Sequence, residues 1–366
     1  MSKQPLIHEV FWLRCIACLA VTFGHGIQNG YLQFTEASSY HTITYILYMA
    51  ILFAVPVFVF ISEFLLANKY AAGVPKGFLR KRLQILLAPY VFMNIVYALF
   101  TVETWTLTNF LIRVSRNIFL GESSIYFVLI IFQFYLLHML CSKYLNRLSP
   151  KIVLPVTFVI NFAYLGFFNF VEAPDHVVAA YLWNPGYWMP FLGWIFYLAL
   201  GFYCGRNYQT VLSMLRKYRI VVFAMPVITF MIMLFMNKYF LIDQSSKRVD
   251  MLLFASSMIF LVMYVSSMIK QPPKIVMVIS NYSFSIFLIN PFFFLLLLNL
   301  KPPAFLNVLS YSILAFIVST VLSIGTSYVL NKTSIGKYIV GQNMNFKIEP
   351  IKNNGEALIR SHGNVK

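Results

Sequence analysis

Ten long apolar runs dominate the chain. They lie at roughly 9–28, 43–67, 83–102, 125–142, 152–170, 188–205, 220–237, 251–269, 276–299 and 305–330. Each is close to the 20 or so residues that a helix needs to cross a bilayer. The runs lack the strict in–out alternation of barrel strands, and a chain in lipid must satisfy its own backbone polar groups. The pattern therefore predicts an all-α integral membrane protein with about ten transmembrane helices. Pro56, Pro89, Pro226 and Pro291 fall inside or beside runs and predict kinks or broken helices there. The first run is long and carries Arg14 and His25, so a retained span is expected rather than a cleaved signal. From about residue 331 the chain turns polar. The expected organisation is a transmembrane domain over 1–330 and a short cytoplasmic tail over 331–366, with no internal repeat.

Composition agrees and adds an orientation. The 366 residues are 60% hydrophobic, 18% aromatic and only 11% charged, which excludes an ordinary soluble domain and a disordered chain. The net charge of +17 would in a soluble protein raise the question of nucleic acid. Here it resolves by topology. Of the 28 Lys and Arg, only Arg113, Arg116, Lys238, Lys247, Arg248 and Lys301 fall on one set of alternate loops. The other 22 lie on the opposite set, at the termini or at the inner end of the first span. Most acids, among them Glu36, Glu122, Asp175 and Asp243, lie with the six. By the positive-inside rule both termini face the cytoplasm. The inner-face charge suits anionic lipid or a phosphorylated cytosolic ligand, and no nucleic-acid partner is expected. Cys15 and Cys18 form a CxxC, but no second Cys or His pair completes a metal site. They read as small core residues, and no metal is expected. Trp105, Trp183 and Trp188 sit at span ends as interfacial anchors would.

Ionisable residues inside lipid are costly and therefore informative. Arg14 and His25 are eleven residues apart in the first span, which places them within about 20° of one helix face and about 16 Å apart along the axis. Arg14 reads either as a snorkelling interfacial cation or as a ligand-binding one. His25 reads either as a packed histidine or as a proton-transfer group. Glu63 ends the second span at the depth of Arg14, its nearest candidate partner, in an ion pair that is structural or functional. Arg80, Lys81 and Arg82 open the third span at the same level. They are ordinary positive-inside anchors or, beside Arg14, a site for phosphates. His138, near the inner end of the fourth span, reads as structural.

Those residues carry a resemblance. Leu13-Arg14-Cys15-Ile16-Ala17-Cys18-Leu19-Ala20-Val21 followed by His25 resembles the opening signature of the acyltransferase 3 family of membrane proteins: an Arg, ten residues, then a His. FVFISEFLL (58–66), KRLQILLAPY (81–90), SIYFVLIIFQFYLL (124–137), LGWIFYLALGFYCG (192–205) and NYSFSIFLINP (281–291) are similar to further phrases of that family, in its order. The chain departs from the pattern at Glu63, where the family usually has Gly. It departs again at Gln84 and Ile85, where a second basic residue often follows, and at Asn290, where the phrase commonly ends in His.

The resemblance implies a membrane O-acyltransferase that moves an acetyl or succinyl group from cytosolic acyl-coenzyme A to an extracytoplasmic carbohydrate in the cell membrane. Acyl-CoA is a co-substrate and no bound cofactor is implied. Arg14, Arg80, Lys81 and Arg82, with Glu63 beside them, would form the donor site, and His25 the catalytic base or nucleophile. Tyr126 and Asn290 fall at a depth suited to holding an oxyanion. They are equally well read as an aromatic-belt residue and a polar helix contact. Two other classes stay open: an exporter of polysaccharide or lipid-linked glycan without acyl-transfer chemistry, and a channel or receptor.

Overall fold

The computed structural model describes residues 7–35, 40–70 and 73–342. All regular structure among them is helical: α1 (His8–Gln33), α2 (His41–Ile51), α3 (Ala54–Tyr70), α4 (Phe78–Arg82), α5 (Ala88–Thr101), α6 (Leu107–Phe119), α7 (Phe127–Leu145), α8 (Pro150–Phe170), α9 (Val177–Trp183), α10 (Ile195–Arg206), α11 (Tyr208–Lys217), α12 (Arg219–Tyr239), α13 (Met251–Ser267), α14 (Lys274–Leu298), α15 (Val308–Leu330) and α16 (Gly336–Ile339). Eight stretches are long and apolar enough to cross a membrane, with α2–α3 and α4–α5 each counted as one. Phe191–Arg206 and Met251–Ser267 are shorter apolar helices. Together these ten segments coincide with the ten runs of the sequence.

Two breaks have a local cause. Pro56 has no N–H to offer the carbonyl of Leu52, and α2 gives way to α3 at Leu52–Phe53. Pro89 likewise leaves Ile85 without its helical donor, and Leu83–Leu87 widens into a π-helical turn between α4 and α5. Pro226 and Pro291 lie inside α12 and α14, which continue through them. Near Pro291 the Tyr97 hydroxyl donates to the Leu288 carbonyl. It thus feeds a turn of α14 adjacent to the lost donor.

Polarity is arranged for lipid. The outer faces of α8, α12 and α15 expose side chains such as Val159, Phe162, Ile220, Val227, Ile317 and Val321. The polar groups point inward, as with Asn29, Asn161, Ser283, Ser312 and Ser323. Apolar surface contributes no association force where the solvent is itself apolar, so packing and buried hydrogen bonds hold such a bundle. Asn29 shows the pattern: it donates to the Phe294 carbonyl at 3.0 Å and accepts from Tyr311 at 2.8 Å, joining α1 to α14 and α15.

The core is built on α1, which packs against α3, α13, α14 and α15. Close approach uses small residues four apart. A methyl group on Gly26 would stand 2.7 Å from the Ser312 carbonyl of α15, and one on Gly201 the same distance from the Phe60 carbonyl of α3. Beyond α15 the expected polar tail behaves otherwise at first. Val340 is buried against Tyr90, Met93 and Tyr97 of α5, Asn331 donates to the Gly341 carbonyl, and Gly341 takes a positive φ beside Phe284. The chain therefore folds back onto the bundle as far as residue 342. The remainder of the expected tail lies outside the described residues.

Candidate active site

Arg14 and His25 sit on the same unbroken helix, α1, and each lines a different cavity. The first cavity, about 450 Å³, is bordered by Arg14, Arg82, Lys69, Asn68, Tyr135 and Gln342 above apolar side chains. The second, about 330 Å³, is bordered by His25, Gln28, Tyr48, Tyr126 and the loop residues 244–247. Phe127 and Phe287 line both. Their rings lie 5.7 Å apart at 73°, and Phe58 packs on Phe127 from the side of the first cavity. The two spaces stand back to back across an aromatic wall.

In the basic cavity the Arg82 guanidinium lies 5.2 Å from the ring centres of both Phe78 and Tyr135. Cation–ring contact of this kind holds a guanidinium while leaving its N–H fork available. Of the three cations at the start of the third span, only Arg82 reaches this cavity. Arg80 and Lys81 are exposed on other faces of α4 and do not line it, because successive helical residues point about 100° apart.

Glu63 has a different partner from the one expected. Its Oε1 lies 2.6 Å from His138 Nδ1, with both side chains fully buried, and His138 Nε2 faces the Tyr70 carbonyl at 3.3 Å. The Arg14 pairing fails because depth fixes only the level of a group, and α3 turns Glu63 toward α7. The pair lines neither cavity. It staples α3 to α7 behind the basic cavity, and His138 is more than a packed histidine.

Tyr126 stands with His25, as the sequence placed it. Asn290 does not: it is buried, its amide donates to Thr22 Oγ1 at 3.1 Å, and it lines neither cavity. It is a polar contact between α14 and α1.

The sequence reading missed the other members of the histidine cavity. Gln28 follows His25 by three residues and so shares its face. Its amide donates to the Tyr48 hydroxyl at 2.6 Å. Lys247 arrives from the loop before α13, with its ammonium 4.3 Å from the Trp188 ring centre and 5.1 Å from that of Tyr126. Trp188 therefore serves this contact as well as any interfacial role. The available signal was that Lys247 is one of few cations on the acidic side of the chain.

A bundle of ten apolar helical segments, with an Arg and a His of one helix lining two adjoining cavities, defines a multi-pass membrane protein. Comparison identifies which kind. The acyltransferase domain of the acyltransferase 3 type matches residues 7–332, and the chain belongs to that family. It is a membrane acyltransferase. A Bacillus subtilis (strain 168) protein that carries the name of a membrane-bound acyltransferase is 40% identical over 349 residues, covering 92% of this chain and 94% of that one. Proteins named for poly-beta-1,6-N-acetyl-D-glucosamine export are more distant. One from Staphylococcus aureus (strain MRSA252) is 25% identical over 343 residues, 91% of this chain and 95% of its own. One from Staphylococcus epidermidis is 26% identical over 353 residues, 93% and 96% respectively. No solved structure gives a significant match.

Proposed function

We propose that the protein moves a small acyl group, acetyl or succinyl, from a coenzyme A thioester in the basic cavity to a carbohydrate hydroxyl in the histidine cavity. The observation that carries this reading is the placement of Arg14 and His25 on one face of one helix, in two cavities that share the Phe127–Phe287 wall. With the termini in the cytoplasm, the basic cavity faces the donor and the histidine cavity faces the outside of the cell membrane. Arg14 and Arg82 hold the donor's phosphates through charge-assisted hydrogen bonds. The axial offset of about 16 Å suits the uncharged pantetheine arm, whose thioester passes between the two rings. His25 then accepts the hydroxyl proton as the oxygen attacks the thioester carbon, and returns it to the leaving sulfur.

The names of the staphylococcal relatives favour a second reading, export of a glycan without chemistry. It requires a route for a polymer where the aromatic wall now stands. Purified protein in liposomes, given isotopically labelled acetyl-CoA on one side and a β-1,6-linked N-acetylglucosamine oligomer on the other, separates the two. Label on the oligomer is expected. Glycan crossing the bilayer with no label transferred would overturn the acyltransfer reading of the two cavities.

A further inference from the structure

With Asn290 committed to Thr22, the histidine cavity needs another group to face the oxyanion where a tetrahedral intermediate would form. We propose that Lys247 is a catalytic residue whose ammonium stabilises the oxyanion of the acyl-transfer intermediate, a role that rests on the reading above.

Four observations carry it. First, Lys247 and His25 line the same cavity, and Lys247 is the one Lys or Arg among the described residues that does so. Second, its ammonium lies against two aromatic faces, Trp188 and Tyr126. Ring faces attract a cation but neither neutralise it nor occupy its donors as a carboxylate would. Lys247 joins none of the ion pairs found among the described residues. Third, the loop that presents it is held in place with unusual investment. Arg248, next in sequence, is fully buried and grips both oxygens of Asp250 at 3.0 and 2.5 Å. Its remaining donors reach Asn237 Oδ1 at 2.6 Å and the Leu241 and Asp243 carbonyls at 3.0 Å. Fourth, Asn169 of α8 clamps the other side of the loop, accepting from the Val249 amide at 2.8 Å and donating to the Lys247 carbonyl at 3.4 Å. A cation fixed before reaction costs no reorganisation when charge develops, which is the condition under which such a group accelerates catalysis most.

The acceptor's hydroxyl oxygen bonds to the thioester carbon, and His25 takes the hydroxyl proton. The carbonyl π pair moves onto oxygen, giving the anion that Lys247 faces. When the carbonyl reforms, the C–S bond breaks, and His25 delivers its proton to the sulfur. An ester and a free thiol leave.

The test compares Lys247→Met, which keeps length and apolar contact, with Lys247→Arg, which keeps the charge, in purified full-length protein. Steady-state transfer of labelled acetyl from acetyl-CoA to the oligomer is measured, with CoA affinity and thermal midpoint alongside. Lys247→Met should lower kcat about a hundredfold, with KM for both substrates, CoA affinity and thermal midpoint near the parent values. Lys247→Arg should recover at least a tenth of parental kcat. Lys247→Met retaining kcat within threefold would overturn the proposal. So would a loss of activity in both variants that tracks a lowered thermal midpoint, since that marks a structural clamp. Absence of transfer in the parent protein itself would instead sink the acyltransfer reading and leave no oxyanion to assign.

Discussion

On the proposed reading, the two cavities divide one reaction between two kinds of basic group. The basic cavity uses guanidiniums, Arg14 and Arg82, on helix walls. Guanidinium stays charged at any physiological pH and presents a rigid fork, which suits holding phosphates and nothing that requires a proton to move. The histidine cavity carries an imidazole, which on that reading takes a proton and returns it. Its roof is not a helix but the loop before α13, pinned by Arg248 and Asn169. On that reading, binding is built into spans, and chemistry is set between a span and a loop. A loop can vary while ten spans keep their packing.

The sharpest way to break this division is His25→Ala. Transfer should fall by at least a factor of about a hundred, with insertion and CoA binding retained, and His25→Gln should match it because an amide is not a base. A near-parental rate in either would make His25 a packing residue. Next in size is His138→Ala, which touches neither cavity but strips Glu63 of its buried partner. Breaking such a pair costs about 3–5 kcal/mol, so the thermal midpoint in detergent should drop steeply while transfer per folded molecule survives. A selective loss of CoA binding instead would move the pair into the donor site.

Smaller effects sharpen the comparison inside the basic cavity. Arg14→Ala and Arg82→Ala should each weaken CoA binding by roughly ten- to a hundredfold, the worth of charged hydrogen bonds at about 1.5–3 kcal/mol. Arg14→Lys should restore part of that. Arg80→Ala and Lys81→Ala should stay within about twofold, screened as exposed charges are. Calorimetry showing the same loss at all four positions would dissolve the distinction between cavity-lining and surface cations. Smallest of all is Asn290→Ala, expected to cost about 1 kcal/mol of stability through the lost bond to Thr22 and to leave kcat unchanged. A clear fall in kcat would return Asn290 to the oxyanion site.

Much of this was legible in the chain. Runs of 20 apolar residues announce spans whatever the tertiary packing, and a single straight helix fixes the relation of Arg14 to His25. Pairings between helices were not legible. Sequence position puts Glu63 and Arg14 at one expected depth, but which way Glu63 points is set by how α3 packs on α7 and, through close approach at Gly201 and Gly205, on α10. The two readings of Asn290 stayed open for the same reason. The rotation of α14 about its axis decides whether it faces a cavity or Thr22. Lys247 was hidden differently, since a loop side chain carries no periodicity from which to read its direction.

The Phe127–Phe287 wall has an electrical consequence. Where both cavities hold water, a membrane voltage that would otherwise fall across about 30 Å of hydrocarbon falls mainly across two side chains. The protein then concentrates the field at the place where, on the proposed reading, the acyl group passes. Each elementary charge driven across 100 mV is worth about 2.3 kcal/mol, so a neutral arm and an acetyl group cross without regard to the potential. A carboxylate on the travelling group would couple turnover to it.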